Sequence, residues 1–192
     1  LELMRAAGFA QIDCTPDSAS PRMLESLGKG FSREELENTA LLIREVELPT
    51  MWFLLFGGPG ENERTIEETM DFVDRFIAED DMVFLWLGLR IYPKTRLHPV
   101  ALRERFVTED QNLLEPPAFY LSPELDETRT RELIDELCQT RPNCIPAWDA
   151  RPDPEMIRMA GELRAREKLE EPMFRTLMRI RRQRMALSTD KQ

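Results

Sequence analysis

The sequence predicts an α/β protein: a partial (β/α) barrel of about three parallel strands with their helices, followed by a C-terminal helical extension. Three observations predict it. Strand-like stretches at residues 9–14, 51–56 and 82–91 are each followed by a turn-forming segment and a helix-like one, and this alternation implies right-handed crossovers and a parallel sheet. Residues 51–56, Met-Trp-Phe-Leu-Leu-Phe, are apolar throughout, the pattern of a strand covered on both faces. Past Pro116-Pro117 the alternation stops and helix-like segments follow one another. Three strands are too few for an eight-stranded barrel, so the barrel is partial.

Leu1, Met4 and Ala7 share one helical face, and Gly8 suits the left-handed residue that ends a helix. A chain opening at the end of a helix, without an initiator Met, reads as cut from a longer protein. Residues 9–14 lie between Gly8 and Thr15-Pro16 and read as a strand; Ser20-Pro21 then opens a helix with Ser20 as its cap. Ser32 and Glu35 form a capping box for a helix with Leu36, Ala40, Ile43 and Glu47 along one stripe. Thr65 and Glu68 offer a second capping box, before Ile66, Met70, Val73 and Ile77 at helical spacing. The third strand stops at Tyr92-Pro93-Lys94-Thr95. With a boundary near Glu115, residues 1–115 form the barrel portion and residues 116–192 the extension, with helices at 124–140 (capped by Ser122-Pro123), 154–169 and 173–187.

Of the 192 residues, 42% are hydrophobic and 32% charged, so a globular core is expected and wholesale disorder is not. The longest apolar run is far short of the roughly 20 residues a membrane helix needs, and no signal peptide opens the chain; a soluble, cytoplasmic protein is expected. Cys14, Cys138 and Cys144 are an odd number at unrelated spacings, which fits reduced thiols better than a disulfide framework. A net charge of −10 opposes nucleic-acid backbones. The arginines at 175, 179, 181, 182 and 184 read as a solvated or acid-paired helix face. No nucleophile elbow and no Cys-x-x-Cys is present, and the single histidine, His98, makes neither a triad nor a metal site. No catalytic residue and no metal ligand is assigned.

Ligands of parallel α/β proteins bind beyond the carboxyl ends of the strands. At the first such end, Thr15-Pro16-Asp17-Ser18-Ala19-Ser20 offers a carboxylate and hydroxyls suited to ribose or an ammonium group. At the second, Gly57-Gly58-Pro59-Gly60-Glu61 is side-chain-poor and suits recognition by backbone, or a tight turn alone. It fits neither the phosphate-loop nor the dinucleotide pattern. At the third, Arg90 and Ile91 lead into residues 92–95, and a mouth arginine pairs with a carboxylate of protein or ligand.

In order, these loops resemble the second half of the radical S-adenosylmethionine (SAM) barrel. Its fourth strand typically enters Gly-x-Glu/Asp-Ser-x-Ser with a later Lys-Gly, here residues 15–20 and Lys29-Gly30; its fifth ends in a Gly-x-Pro-Gly-Glu-like motif, here residues 57–61; its sixth enters Tyr-Pro-Gly-Thr-x-Leu, here residues 92–97. The likeness covers about residues 1–107, and the segment at 119–123 with the helical tail looks similar to the subgroup with a cobalamin-binding domain. The resemblance implies reductive cleavage of SAM by a [4Fe-4S] cluster. It implies that Asp17 and Ser18 face the SAM ribose or amino-acid portion, that Phe56, Gly57, Gly58 and Pro59 line the adenine, with Glu61 of the same loop among the cofactor-binding residues, and that Arg90 and Ile91 close the mouth. The cluster motif CxxxCxxC is absent from the sequence, Thr15 and Lys94 replace family glycines, and Cys138 and Cys144 have the wrong spacing.

The chain is therefore expected to be inactive alone and to need the missing N-terminal half of its barrel, with S-adenosylmethionine and [4Fe-4S], and through the subgroup likeness cobalamin, as cofactors of the parent and an unknown substrate. Open sheet edges favour self-association. The alternatives are a non-catalytic α/β interaction module derived from such a barrel and, last, an aldolase-like lyase using Lys29 or Lys94.

Overall fold

A computed structural model describes residues 1–151 and 153–189, and the side chains of 186–189 are not described. The main sheet is parallel throughout. It contains β1 (Ile12–Asp17), β2 (Thr50–Phe56), β3 (Met82–Leu87) and, from the segment read as purely helical, a fourth strand (Cys144–Pro146), in the spatial order β1, β2, β3, fourth strand. The expected α/β class with a helical C-terminal part is what the chain adopts.

α1 (Glu2–Ala6) precedes the sheet, and Gly8 follows it at φ 82° as expected. β1 begins three residues later than expected and runs through Pro16. As an edge strand paired only with β2, it tolerates a residue with no N–H to donate. α2 (Pro21–Leu27) and α3 (Arg33–Glu45) follow. Ser20 occupies the N-cap position of α2 without capping it: its hydroxyl donates to Glu68 Oε2 at 2.7 Å. The Ser32–Glu35 capping box is present on α3, whereas Glu47 lies past the helix end at φ 52° and off the expected stripe. α4 (Glu63–Phe76) is capped by a reciprocal Asn62–Thr65 pair, one turn before the expected Thr65–Glu68 box, because Asn62 is extended while Glu68 bonds Ser20 and Arg64.

The core lies between the sheet and helices α3 and α4. Trp52, Leu54 and Phe56 of β2 and Val83 and Leu85 of β3 pack with Leu36, Ala40, Ile43, Ile66, Phe72 and Val73, all buried. The other face of β2 is only half covered. Met51, Phe53 and Leu55 are half-buried, Phe53 stacks on Phe84 at 5.3 Å, and Trp86 is 42% exposed. The run at 51–56 is thus apolar on two faces but covered on one.

β3 ends at Leu87 rather than 91. Gly88, at φ 90°, turns the chain, and β4 (Leu89–Arg90) pairs antiparallel with β5 (Phe119–Tyr120). Between them α5 (Leu97–Arg103) closes a small separate core of Ile91, Ala101, Val107, Leu113 and Tyr120. α6 (Glu127–Thr140) is capped by Asp126, which accepts from Arg129 N at 2.8 Å. Ser122 instead begins a preceding turn, with Leu125 N donating to its carbonyl at 3.0 Å. The fourth strand, β6 (Cys144–Pro146), a 3₁₀ turn (Ala147–Asp149), α7 (Pro154–Glu167) and α8 (Met173–Thr189) complete the fold. Phe174 and Met178 of α8 pack on Met82 and Ile145, on the sheet face opposite α3 and α4. Among the described residues no helix is long and apolar enough to cross a membrane.

Candidate functional site

The carboxyl ends of β1 and β2 lie side by side because the two strands are neighbours in register, Asp17 opposite Leu54. Asp17 sits at φ 65° after an irregularity in the β1–β2 ladder. A non-glycine residue in that region is strained and is held by its surroundings. The holding group is Lys29, whose Nζ forms an ion pair with Asp17 Oδ2 and donates to Thr15 O at 3.0 Å. Family likeness brought Lys29 to notice only as part of a Lys-Gly pair; its contact with Asp17 has no sequence signal, since residues 17 and 29 are joined through an intervening helix.

Ser18 faces inward and is fully buried. Its Oγ lies 2.9 Å from Thr69 Oγ1 and accepts from Ser20 N at 3.1 Å, while Ala19 N donates to Thr69 Oγ1 at 3.1 Å. The 18–20 segment is thus sutured to α4, and the hydroxyl expected to meet a ligand holds the strand end in place.

The β2 end forms a closed turn. Phe56 is buried, and its carbonyl accepts from Gly88 N at 2.8 Å. Gly57 has φ 105°, and a Cβ there would lie 2.8 Å from Leu121 Cδ1; one on Gly58 would lie 2.7 Å from Met23 Cε. Glycine is favoured at the first position by its left-handed conformation, and at both positions a Cβ would have to push aside the end of a packed side chain. Glu61 is fully buried, and its Oε2 accepts from both Gly57 N and Gly58 N, the latter at 2.9 Å, while Oε1 has no hydrogen-bond partner. Burial pushes its pKa up to about 7, against the lowering effect of the two amides. The carbonyls are used as well: Gly57 O by Ser122 N at 2.9 Å, Gly58 O by Glu61 N at 3.0 Å, and Pro59 O by Ser26 Oγ at 2.9 Å. The loop expected to recognise by free backbone groups has spent the Gly57 and Gly58 amides on its own carboxylate.

Arg90 and Ile91 belong to the small sheet beyond Gly88. Arg90 is exposed, stacks over the Tyr92 ring at 4.8 Å and donates to Leu114 O at 3.3 Å, while Ile91 is fully buried in the small core. The strand ends therefore bring Asp17 together with the 57–61 loop, and Ile91 is turned away into its own cluster. Sequence reasoning missed the open aromatic face beside them, Phe53, Phe84 and Trp86; the unbroken apolar run concealed which side of β2 is covered.

The cysteines do not fit an iron-sulfur cluster. Cys14 is half-buried and Cys138 and Cys144 are buried. Burial raises their thiol pKa values to about 11, 12 and 12, and Cys138 and Cys144 lie six residues apart rather than at the CxxxCxxC spacing. Among the described residues no group of His, Cys, Asp or Glu could hold a metal ion.

The family model described as the radical SAM superfamily matches residues 1–73. Curated proteins give no significant match. Among solved structures, the chain is similar to the radical S-adenosylmethionine methyltransferase TsrM from Kitasatospora setae with cobalamin and a [4Fe-4S] cluster bound, at TM-score 0.61 and 21% identity over 95% of this chain and 42% of that one. A second TsrM structure, with tryptophan substrate and the SAM analogue aza-SAM, matches at TM-score 0.54 and 23% identity over 71% of this chain and 32% of that one. The chain thus spans less than half the length of the TsrM chains it matches. The family model on residues 1–73 takes in β1, β2 and both loops of the site, so this part of the chain matches the radical SAM superfamily.

Proposed function

We propose that this chain supplies the SAM-side strand ends of a radical SAM enzyme whose cluster-bearing half lies outside it. The observation that carries the reading is the half-covered sheet: α3 and α4 cover one face of β2, while on the other face, beyond the patch that α8 covers, Phe53, Leu55 and Trp86 leave an apolar surface for the rest of a barrel. That occupant is the N-terminal half; the sheet itself does not stop at the boundary expected near Glu115, because β6 (Cys144–Pro146) within residues 116–192 pairs with β3. In this reading Asp17 meets the SAM ribose or amino-acid portion, the surface of the 56–59 segment lies along the adenine, and Arg90 stands at the mouth.

The cluster, when present in the parent, supplies the electron that cleaves SAM. This chain's own residues orient SAM and exclude water. Lys29 fixes the Asp17 carboxylate, and Ser18 fixes the strand end behind it. Cobalamin, bound in one TsrM structure, belongs to the parent in the same way. That no group of His, Cys, Asp or Glu among the described residues could hold a metal ion supports inactivity of the chain alone.

Anaerobic reconstitution with iron and sulfide tests the reading. The chain alone should stay colourless and form no 5′-deoxyadenosine from SAM, whereas the protein extended upstream should gain a cluster and cleave SAM. A stable cluster on this chain, or an upstream sequence without the three cysteines, overturns it; the second outcome would favour a non-catalytic interaction module.

A further inference from the structure

Glu61 is placed in an unusual way for a residue of a cofactor loop. It is fully buried, one oxygen takes two consecutive amides of its own loop, and the other oxygen has no partner. A carboxylate that met SAM would present an oxygen to the ligand side; here the oxygen carrying the bonds points back into the turn. Three of the loop's carbonyls are tied to other elements: Phe56 O to Gly88, Gly57 O to Ser122, and Pro59 O to Ser26. At two of the loop's glycines a Cβ would press on the ends of Leu121 and of Met23 of α2. The loop is therefore braced by several elements, and among the described residues Glu61 is the side chain that fixes the two inward amides.

Resting on the SAM-side reading above, we infer that Glu61 is a positioning residue: its carboxylate clamps the Gly57 and Gly58 amides so that the smooth outer surface of residues 56–59 faces the cofactor, and it does not itself touch SAM. What the clamp requires is one acceptor oxygen inside the turn, not a charge. A glutamine carbonyl supplies that oxygen; an alanine leaves two buried N–H groups unpaired, which costs far more than a bond to water regained.

The test compares Glu61→Gln with Glu61→Ala. In this chain, amide hydrogen exchange at Gly57 and Gly58 should be unchanged in Glu61→Gln and accelerated about tenfold or more in Glu61→Ala, with the β2 amides of Trp52 and Leu54 as internal reference. In the upstream-extended enzyme, the KM for SAM should stay near its starting value in Glu61→Gln and rise about tenfold in Glu61→Ala. Loss of Gly57 and Gly58 protection in Glu61→Gln, or a KM defect in Glu61→Gln equal to that of Glu61→Ala, overturns the clamp, the latter by making the charge itself a ligand contact. Should Glu61→Ala fail to fold, exchange in Glu61→Gln alone decides. If the unsubstituted enzyme shows no SAM binding while the exchange pattern holds, the functional reading falls and the clamp stands.

Discussion

Two buried carboxylates mark opposite ends of the parallel sheet, and they are built differently. At the amino end, Asp81 directly precedes β3. Its Oδ1 accepts from Thr50 N at 3.0 Å and lies 3.6 Å from the Arg175 guanidinium, and its Oδ2 accepts from the Trp52 indole at 3.3 Å. At the carboxyl end, Glu61 has two amides on one oxygen and, among the described residues, no hydrogen-bond partner on the other. Burial raises the pKa of both, but at Asp81 three kinds of donor, one of them charged, oppose it. The amino end of such a sheet is given over to stability and the carboxyl end to ligands. Asp81 ties β2, β3 and α8 together; Glu61 shapes a loop and tolerates an orphan oxygen to do so.

The largest expected effect breaks the amino end. Asp81→Ala leaves the Thr50 amide, the Trp52 indole and Arg175 without their shared acceptor, and should lower unfolding free energy by about 4 kcal/mol in urea melts. A loss below about 1 kcal/mol would remove Asp81 from its structural role.

The next effect sharpens the carboxyl end. Glu61 has a folded pKa of about 7 against an ordinary 4.5, so the folded chain binds the extra proton and stability is greatest below about pH 4.5. It should fall by about 3 kcal/mol as pH rises through 7. Melts at pH 5 and pH 8 should show that difference in the unsubstituted chain and lose most of it in Glu61→Gln. The proton has a natural place on the unpartnered Oε1, which leaves Oε2 on the amides.

Smaller again is Ser18→Ala, which unpairs Ser20 N and one contact of Thr69. It should cost about 1 to 2 kcal/mol of stability and, because Ser18 is inside, change SAM affinity less than Asp17→Ala does. A larger affinity loss in Ser18→Ala would make its hydroxyl a ligand contact. Smallest is Arg64→Ala, whose side chain is 85% exposed opposite Glu68; a change beyond about 0.5 kcal/mol in melts would contradict the weakness of exposed pairs.

Legibility followed the range of the interactions. The helices of the barrel portion were readable because periodicity is local, and so was the Ser32–Glu35 box, which spans one turn. The second box was misjudged by one turn because Asn62, Thr65 and Glu68 all offer side chains to the same helix start, and Glu68 is drawn away by Ser20 across 48 residues. The third strand was read too long because nothing in residues 82–91 announces the turn except Gly88, whose φ of 90° depends on pairing with residues 30 further on. The three loops of the site were all legible as strand ends, yet the direction of Ser18, Glu61 and Ile91 was not. Polar residues at a strand end fit a ligand and a suture equally well until the partner is known.

By itself the sequence determined the parallel α/β class, the order of strand, loop and helix, and the glycine preference of the 57–61 turn, all consequences of period, composition and backbone freedom over a few residues. Only the tertiary structure decided the rest. It made a strand of Cys144–Pro146, three residues without periodicity, by docking them on β3, with Val83 N donating to Asn143 O at 2.9 Å. It also turned Glu61 inward and left one face of β2 open. Each of these is set by a partner distant in sequence, and the free energy of burying a polar group depends on that partner rather than on the group's neighbours along the chain.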